Sequence, residues 1–376
     1  MPWKEKTVME QRKEFIEQAA ECSNFSELCR EYGISRKTGY KWLKRFRETS
    51  SLEDQSRRPK HPYRKTAPAV EAAILAMREE NPSWGGKTIR TVLEADGISN
   101  LPSAKTCCNI LKRNGCVSEE ESLKRRPCQR FEREQCNALW QTDFKGDFPL
   151  LDGTRCYPLD ILDDHSRFCL CTEPKSTAAG VQESFLRVFQ EYGLPDAILS
   201  DNGPQFAGFR GGYTRFERWL MDLDILPIHG RILHPQTQGK IERFHRTMKA
   251  ELLRESFRDI TEAADKFAAW RWKYNEIRPH SALGMKPPAK VYTPSKRQLF
   301  EPKPYEYTSG NVCKVNNWGY LRFGPVQLYL SETMANTYLE VVPADNDTFS
   351  IRYRNFQIAL VDANEKILIN RRIRKL

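Results

Sequence analysis

Apolar residues recur at helical spacing through the first third of the chain, change to short runs and alternation in the middle, and alternate again towards the end. In the first third, FSELCREYGISRKTGYKWLKRFR (residues 25–47) predicts a short helix, a turn at Gly33 and a second helix capped by Ser35. Ile34, Leu43 and Phe46 are expected inward, with Arg36, Lys37, Thr38, Lys41 and Lys44 outward. Between Val70 and Gly115, VEAAILAMREE, KTIRTVLEADG and SAKTCCNILKRNG predict three further helices. They are broken at Asn81-Pro82, and Ser103 opens the last, which turns Lys105, Lys112 and Arg113 outward.

The middle reads differently. ALWQTDFKGDF, CYPLDIL and FCLCTEP predict three successive strands, followed by a helix in TAAGVQESFLRVFQEYG that stops at Gly193 and a short buried strand in DAILS. Three antiparallel strands, a helix and a parallel strand fit an α/β sheet of the ribonuclease H type. Further on, IERFHRTMKAELL has the spacing of an amphipathic helix with Ile241, Phe244, Met248 and Leu252 inward. After Pro304 the alternating segments NVCKVNNWGYLRFG, VQLYLS, TYLEVVPADNDTFSIRYRN and FQIALVDANEKILIN predict a small all-β unit.

At 376 residues the chain exceeds a usual single core, so several domains are expected. Lys and Arg outnumber Asp and Glu by 60 to 49, which favours a polyanionic partner. The excess is concentrated near the N-terminus, where residues 33–66 hold eleven Lys/Arg against three Asp/Glu. Eleven cysteines, an odd number without CxxC pairs or a preceding secretory apolar run, point to a reduced cytosolic protein. No apolar run reaches the ~18 residues that span a bilayer, so no membrane partner is expected.

A glycine turn, a capped helix and a Lys/Arg face together form the layout of a helix-turn-helix, whose second helix enters the major groove of double-stranded DNA. The second set of helices suggests another helix-turn-helix or winged-helix unit. Between them, SRRPKHPYRK (56–65) is an extended arm in which Arg57, Arg58, Lys60, Arg64 and Lys65 can track phosphates. In the middle, Asp143 lies inside the first strand and Asp201 directly follows the fourth, at a strand's carboxyl end where ligands gather in open α/β sheets. A carboxylate inside a sheet is costly unless paired or bound to a cation. Glu242 sits in the first turn of the later helix, with His245, Arg246 and Lys249 on or beside its face. Three carboxylates from separate elements suit Mg²⁺ or Mn²⁺, and two such ions assist in-line displacement at phosphorus. Asp147, Asp160, Asp163 and Asp164 are rival acids, and the last two sit in a turn where Asp makes local hydrogen bonds.

WQTDFKG, LDDHSR, LSDNGPQF, HPQTQGKIERFHRTMK and YNEIRPHSALGMKPPAKVY occur in this order within residues 138–293. Together they resemble the catalytic core of bacterial insertion-sequence transposases with a DDE, retroviral integrase-type core. The resemblance implies a ribonuclease H-like fold and a metal triad of Asp143, Asp201 and Glu242, spaced 58 and 41 residues apart. It implies two Mg²⁺ (or Mn²⁺) ions per site, with Arg246 and Lys249 on DNA. The zinc-binding module of retroviral integrases has no counterpart, because Cys22 and Cys29 lack a nearby histidine pair, and zinc is not expected.

The expected organisation is multidomain. A helix-turn-helix domain (1–55), a basic linker (56–66), a second helix-turn-helix or winged-helix domain (67–123) and a linker (124–137) precede the α/β ribonuclease H-like core (138–295) and a small SH3-like β-barrel (305–376). The implied activity is transposition. The protein would bind the terminal inverted repeats of its own element, hydrolyse the ends to expose 3′-OH groups and join them to target DNA as a homo-oligomer, at least a dimer. It would work in the bacterial cytoplasm, on the nucleoid when DNA-bound. A catalytically silent DNA-binding regulator and a ribonuclease H-type nuclease that does not join strands are the alternatives.

Overall fold

The computed structural model describes residues 7–54, 66–117, 133–208, 212–230, 239–308, 311–345, 347–362, 364, 367–370 and 372–376. The chain divides into two compact units, Met1–Lys65 and Thr66–Leu376.

In the first unit, helices α1 (Val8–Glu21), α2 (Phe25–Glu31) and α3 (Arg36–Thr49) enclose Phe15, Ile16, Leu28, Cys29, Trp42 and Leu52. Helix α1 carries a signal that reading from Phe25 onwards overlooks: a capping box between Thr7 and Glu10. Ser35 caps α3 as expected, accepting from the Thr38 N–H at 3.2 Å, and Gly33 turns the chain with φ +62°. Gly39 lies at the closest crossing: a Cβ there would stand 2.8 Å from Cys29 Sγ and 2.9 Å from Phe25. The inward face differs from expectation at one position. Trp42 is buried and Leu43 half-buried, but Phe46 is 39% exposed, because it falls past the end of the core that α1 and α2 provide. Arg12 and Arg45 flank the Trp42 ring, 3.8 and 4.6 Å from its centroid.

The second unit opens with α4 (Pro68–Glu80), α5 (Gly86–Ala95) and α6 (Ala104–Arg113), packed around Ile74, Trp84, Ile89, Leu93, Cys107, Ile110 and Leu111. Pro68 starts α4, where its missing N–H costs nothing, and Ser103 caps α6 through the Thr106 N–H at 3.2 Å.

Next comes a mixed sheet of β1 (Trp140–Phe144), β2 (Phe148–Pro149), β3 (Arg155–Asp163), β4 (Cys169–Lys175), β5 (Ala197–Ser200) and β6 (Leu226–His229). Strand β1 is central: it pairs antiparallel with β3 and parallel with β5, β3 carries β2 and β4, and β6 extends the parallel half. Three antiparallel strands followed by parallel ones around a central first strand make the core ribonuclease H-like. Helix α7 (Val181–Tyr192) buries Phe185, Val188 and Phe189 against one face with Trp140, Leu159 and Ile198. On the other side, α9 (Gly239–Glu251) and α10 (Ile260–Trp272) share a core with Leu162 and Cys169. Helix α8 (Arg215–Asp222), capped by a Thr214–Glu217 box, fills the interval between Asp201 and Glu242 together with β6, a strand too short to announce itself in the sequence.

The C-terminal segment is all-β. Strands β7 (Val312–Lys314), β10 (Tyr338–Asp345), β11 (Thr348–Tyr353), β12 (Phe356–Asp362), β13 (Ile367–Asn370) and β14 (Arg374–Lys375) form one sheet, and β8 (Tyr320–Phe323) with β9 (Val326–Tyr329) a separate hairpin. Among the described residues no pairing closes these strands into the expected barrel. The segment does not stand apart, because it packs Leu339, Ile351 and Ile358 against Tyr213 and Met221 of the core. Tyr213 donates its hydroxyl to the Ile358 carbonyl at 2.6 Å, and Tyr353 and Arg354 both donate to Asp222. In the basic tail, Arg374 and Lys375 pair with β12, and Lys375 bonds Asp224 at 2.8 Å, so this lysine is held by the fold.

Candidate active site

Asp143 and Asp201 reach one another through strand register. Strands β1 and β5 run parallel with Gln141 opposite Leu199, and each aspartate lies two residues beyond that last pair, at the carboxyl end of its strand. Asp201 is half-buried, and its Oδ1 accepts the Gly203 N–H at 3.0 Å. A Cβ at Gly203 would lie 3.0 Å from that same oxygen, so a side chain there would crowd the carboxylate.

Asp143 carries the electrostatic burden of the site. Burial pushes its carboxyl up to about 6. Neighbouring His245 opposes that rise, while the like charges of Asp201 and Asp160 add to it. The side chain keeps 21% of its surface exposed, enough for access from solvent.

The face beside Asp143 holds a pair that spacing alone does not reveal. Asp160 stands opposite Asp143 in the β1–β3 register and is completely buried. His245 Nε2 lies 2.9 Å from Asp160 Oδ2, and His245 Nδ1 lies 3.8 Å from Asp143 Oδ2. Among the described residues, the other Asp160 oxygen has no hydrogen-bond partner. His245 therefore does not join the outward basic face expected around Glu242. It points inward, since position 245 follows Ile241 by one helical turn on the buried side. Glu242, Arg246 and Lys249 are all exposed on α9.

The start of α9 is anchored by the LDDHSR turn. Asp163 makes the local hydrogen bond expected of a turn residue, accepting from the Ser166 N–H at 2.7 Å, and also accepts the N–H of Asn137, 26 residues earlier, at 2.8 Å. Asp164 instead reaches out, accepting from Gln141 Nε2 at 2.7 Å and from Lys240 Nζ. Gln141 in turn accepts the Ile241 N–H at 3.3 Å, which fixes Glu242's helix to the strand that carries Asp143.

Beyond Asp201, His229 Nδ1 lies 3.2 Å from Ser200 Oγ and its Nε2 lies 2.8 Å from the buried Glu217. Burial disfavours the imidazolium, but the hydrogen bond and charge of Glu217 outweigh it and raise the His229 pKa.

Among the described residues no three His, Cys, Asp or Glu side chains gather around one point closely enough to hold a metal. The structure brings Asp143 and Asp201 together and leaves Glu242 on the exposed face of α9, after residues 231–238, which lie outside the described ones.

The remaining expected contacts divide similarly. Arg36, Lys37, Lys41 and Lys44 are exposed on α3, whereas Thr38 is half-buried and bonded to Ser35 Oγ. Lys105 is exposed at the start of α6, and Arg113 is engaged by Glu71. Arg57, Arg58, Lys60, Arg64 and Lys65 lie outside the described residues. The YNEIRPH stretch is structural: Asn275, in a wide turn after α10, exchanges two hydrogen bonds of 2.9 Å with the Cys169 backbone, and burial lowers the His280 pKa to about 3.

Comparison with known proteins accords with this architecture. Residues 133–235 and 223–288 match two integrase core domain models. Residues 11–60 match a helix-turn-helix domain and 38–111 a homeodomain-like domain. Over 156 residues the chain is 31% identical to an uncharacterized 39.2 kDa protein of insertion element IS476 from Xanthomonas euvesicatoria, covering 41% of this chain and 43% of that one. It is 25% identical over 229 residues to an uncharacterized 31.7 kDa protein of insertion element IS407 from Burkholderia multivorans, covering 58% and 79%. The match thus spans less than half the length of the IS476 protein. A simian T-cell lymphotropic virus intasome, solved in complex with a PP2A regulatory subunit, overlaps loosely, with a TM-score of 0.37 and 15% identity over 74% of this chain and 91% of that one.

The fold and these matches define a protein with an integrase core behind helix-turn-helix DNA-binding domains. More particularly, these domains stand in a chain that is similar to proteins of the bacterial insertion elements IS476 and IS407.

Proposed function

We propose that this protein binds the terminal inverted repeats of its element, hydrolyses one phosphodiester at each end to free a 3′-OH, and joins that hydroxyl to target DNA. The observation that carries the reading is the meeting of Asp143 and Asp201 at the carboxyl ends of β1 and β5, where burial first, and then the charges of Asp201 and Asp160, raise the Asp143 carboxyl to about 6 against the opposing effect of His245. Such a donor set fits hard divalent cations. Asp143 and Asp201, with Glu242 from α9, would hold two Mg²⁺ or Mn²⁺ ions. These would supply nucleophile activation and charge stabilisation at phosphorus, so no side-chain general base is required.

The protein's own residues perform the positioning. The Gly203 N–H orients the Asp201 carboxylate, and the Asp160–His245 pair packs beside that of Asp143. Arg246 and Lys249, one and two turns after Glu242 on its exposed face, contact the DNA backbone. Helix α3, through Arg36, Lys37, Lys41 and Lys44, reads the element end, assisted by the 56–65 arm and by Lys105. Two ends must be joined in concert, which calls for an oligomer, at least a dimer, acting on DNA in the bacterial cytoplasm.

The test is incubation with duplexes of the flanking inverted repeats, in Mg²⁺ or in EDTA. Metal-dependent 3′-end cleavage and joining are expected, and Asp201→Asn should lose both while retaining end binding. Binding without cleavage would favour a regulator, and cleavage without joining a nuclease.

A further inference from the structure

Helix α9 carries Glu242 in its first turn and, nine residues or about 14 Å further along, Glu251 at its end. Four donors converge on the Glu251 carboxylate. Its Oε1 accepts from Ser83 Oγ at 2.5 Å, Trp84 Nε1 at 3.2 Å and Arg278 Nε at 3.0 Å, and its Oε2 from Trp270 Nε1 at 3.1 Å. The side chain is only 11% exposed. A carboxylate this buried is tolerated because one guanidinium and three neutral donors satisfy it.

Two of those donors come from the second helical domain and two from the catalytic core. Ser83 and Trp84 form the turn between α4 and α5, and Lys273 lies over the Trp84 ring at 5.5 Å. The path onward is stiff. Arg78 donates to the carbonyls of Trp84 and Cys116, both at 2.7 Å, and a Cβ at Gly86 would stand 2.6 Å from the Cys108 backbone nitrogen, so α5 crosses α6 at close range. Ile277 adds an apolar contact from the core to the same cluster.

We propose that Glu251 is a positioning residue that sets which phosphate is cut. By clamping Ser83 and Trp84 it holds α6, with exposed Lys105 at its start, at a fixed bearing to Glu242 on the same helix as the clamp. DNA gripped by the second helical domain is thereby delivered to the acids at a set distance. This rests on the transposase reading, and it adds that the ruler is built within one chain, in the catalytic helix.

The test uses the full chain carrying Glu251→Gln or, more mildly, Ser83→Ala. Glutamine places an NH₂ where a donor now points, and Ser83→Ala removes one donor while leaving the carboxylate satisfied. Three quantities are read: affinity for an end duplex, the phosphate cut in Mg²⁺ mapped to the nucleotide, and amide hydrogen exchange in the free protein. End affinity should stay within about threefold of wild type. Cutting at the wild-type phosphate should fall about tenfold in Glu251→Gln, the effect of losing one charge-assisted hydrogen bond, with new cuts at neighbouring phosphates. Ser83→Ala should show the same redistribution more weakly. Amides of residues 81–95 should exchange faster and those of 140–144 unchanged. Wild-type cut position and rate in Glu251→Gln would overturn the proposal. So would loss of cutting without redistribution, accompanied by faster exchange in 140–144. If wild-type protein itself leaves the ends uncut, the transposase reading fails and the ruler with it, while the exchange measurement still reports separately on the clamp.

Discussion

In the proposed metal site, the raised Asp143 carboxyl would make cation binding a proton-linked event. Its pKa of about 6 stands roughly two units above the ordinary aspartate value, worth about 3 kcal/mol against the charged form. Because the folded state holds this proton more tightly than the unfolded chain does, the group's stabilising contribution is complete below 3.8 and is lost as pH rises through about 6. A divalent cation binds only the carboxylate, so it must displace the proton wherever one is present. With a pKa of about 6, about three-quarters of the sites are protonated at about pH 5.5 and only a few per cent at about pH 7.5. Mn²⁺ binding should therefore release about three-quarters of a proton per protein at the lower pH and almost none at the higher, with affinity about fourfold weaker at the lower. Titration calorimetry in two buffers of different ionisation heat reads both quantities. Equal affinity and equal proton release at the two pH values would refute a raised Asp143 carboxyl as a ligand of the cation.

Other outcomes follow from the same geometry. His245→Ala strips the buried Asp160 of its partner and should destabilise the protein by about 3 kcal/mol in urea unfolding, whereas Asp160→Leu combined with His245→Leu should recover part of that loss. Stability equal to wild type in the single variant would mean that the pair is not formed. Arg36→Ala and Lys37→Ala should weaken end binding and each reduce the slope of log affinity against log salt by about one, without moving the melting temperature, since both side chains are exposed. Unchanged affinity would place recognition elsewhere.

The order of elements was legible in the sequence because each obeys a local rule. Ser35 and Ser103 cap helices from their own first turns, Gly33 turns the chain, and the apolar runs before Asp201 and Gly193 mark a strand and a helix. The signals missed were the capping box ahead of α1 and β6, whose LPIH has no period long enough to register. The candidate acids were legible too, through motifs in fixed order, but their electrostatics were not. That Asp143 faces Asp160 across β1 and β3, that His245 turns inward to this pair while Arg246 and Lys249 stay out, and that Asp164 grips the start of α9 instead of only shaping its own turn, all depend on strand register and helix docking. Those bring together groups up to 85 residues apart, such as His245 and Asp160. The Glu251 clamp, joining Ser83 to a helix 168 residues later, belongs to the same class. Residue spacing dictates caps, turns and faces because these are made by neighbours along the chain; which buried charge meets which is decided only when separate elements pack and water is expelled between them.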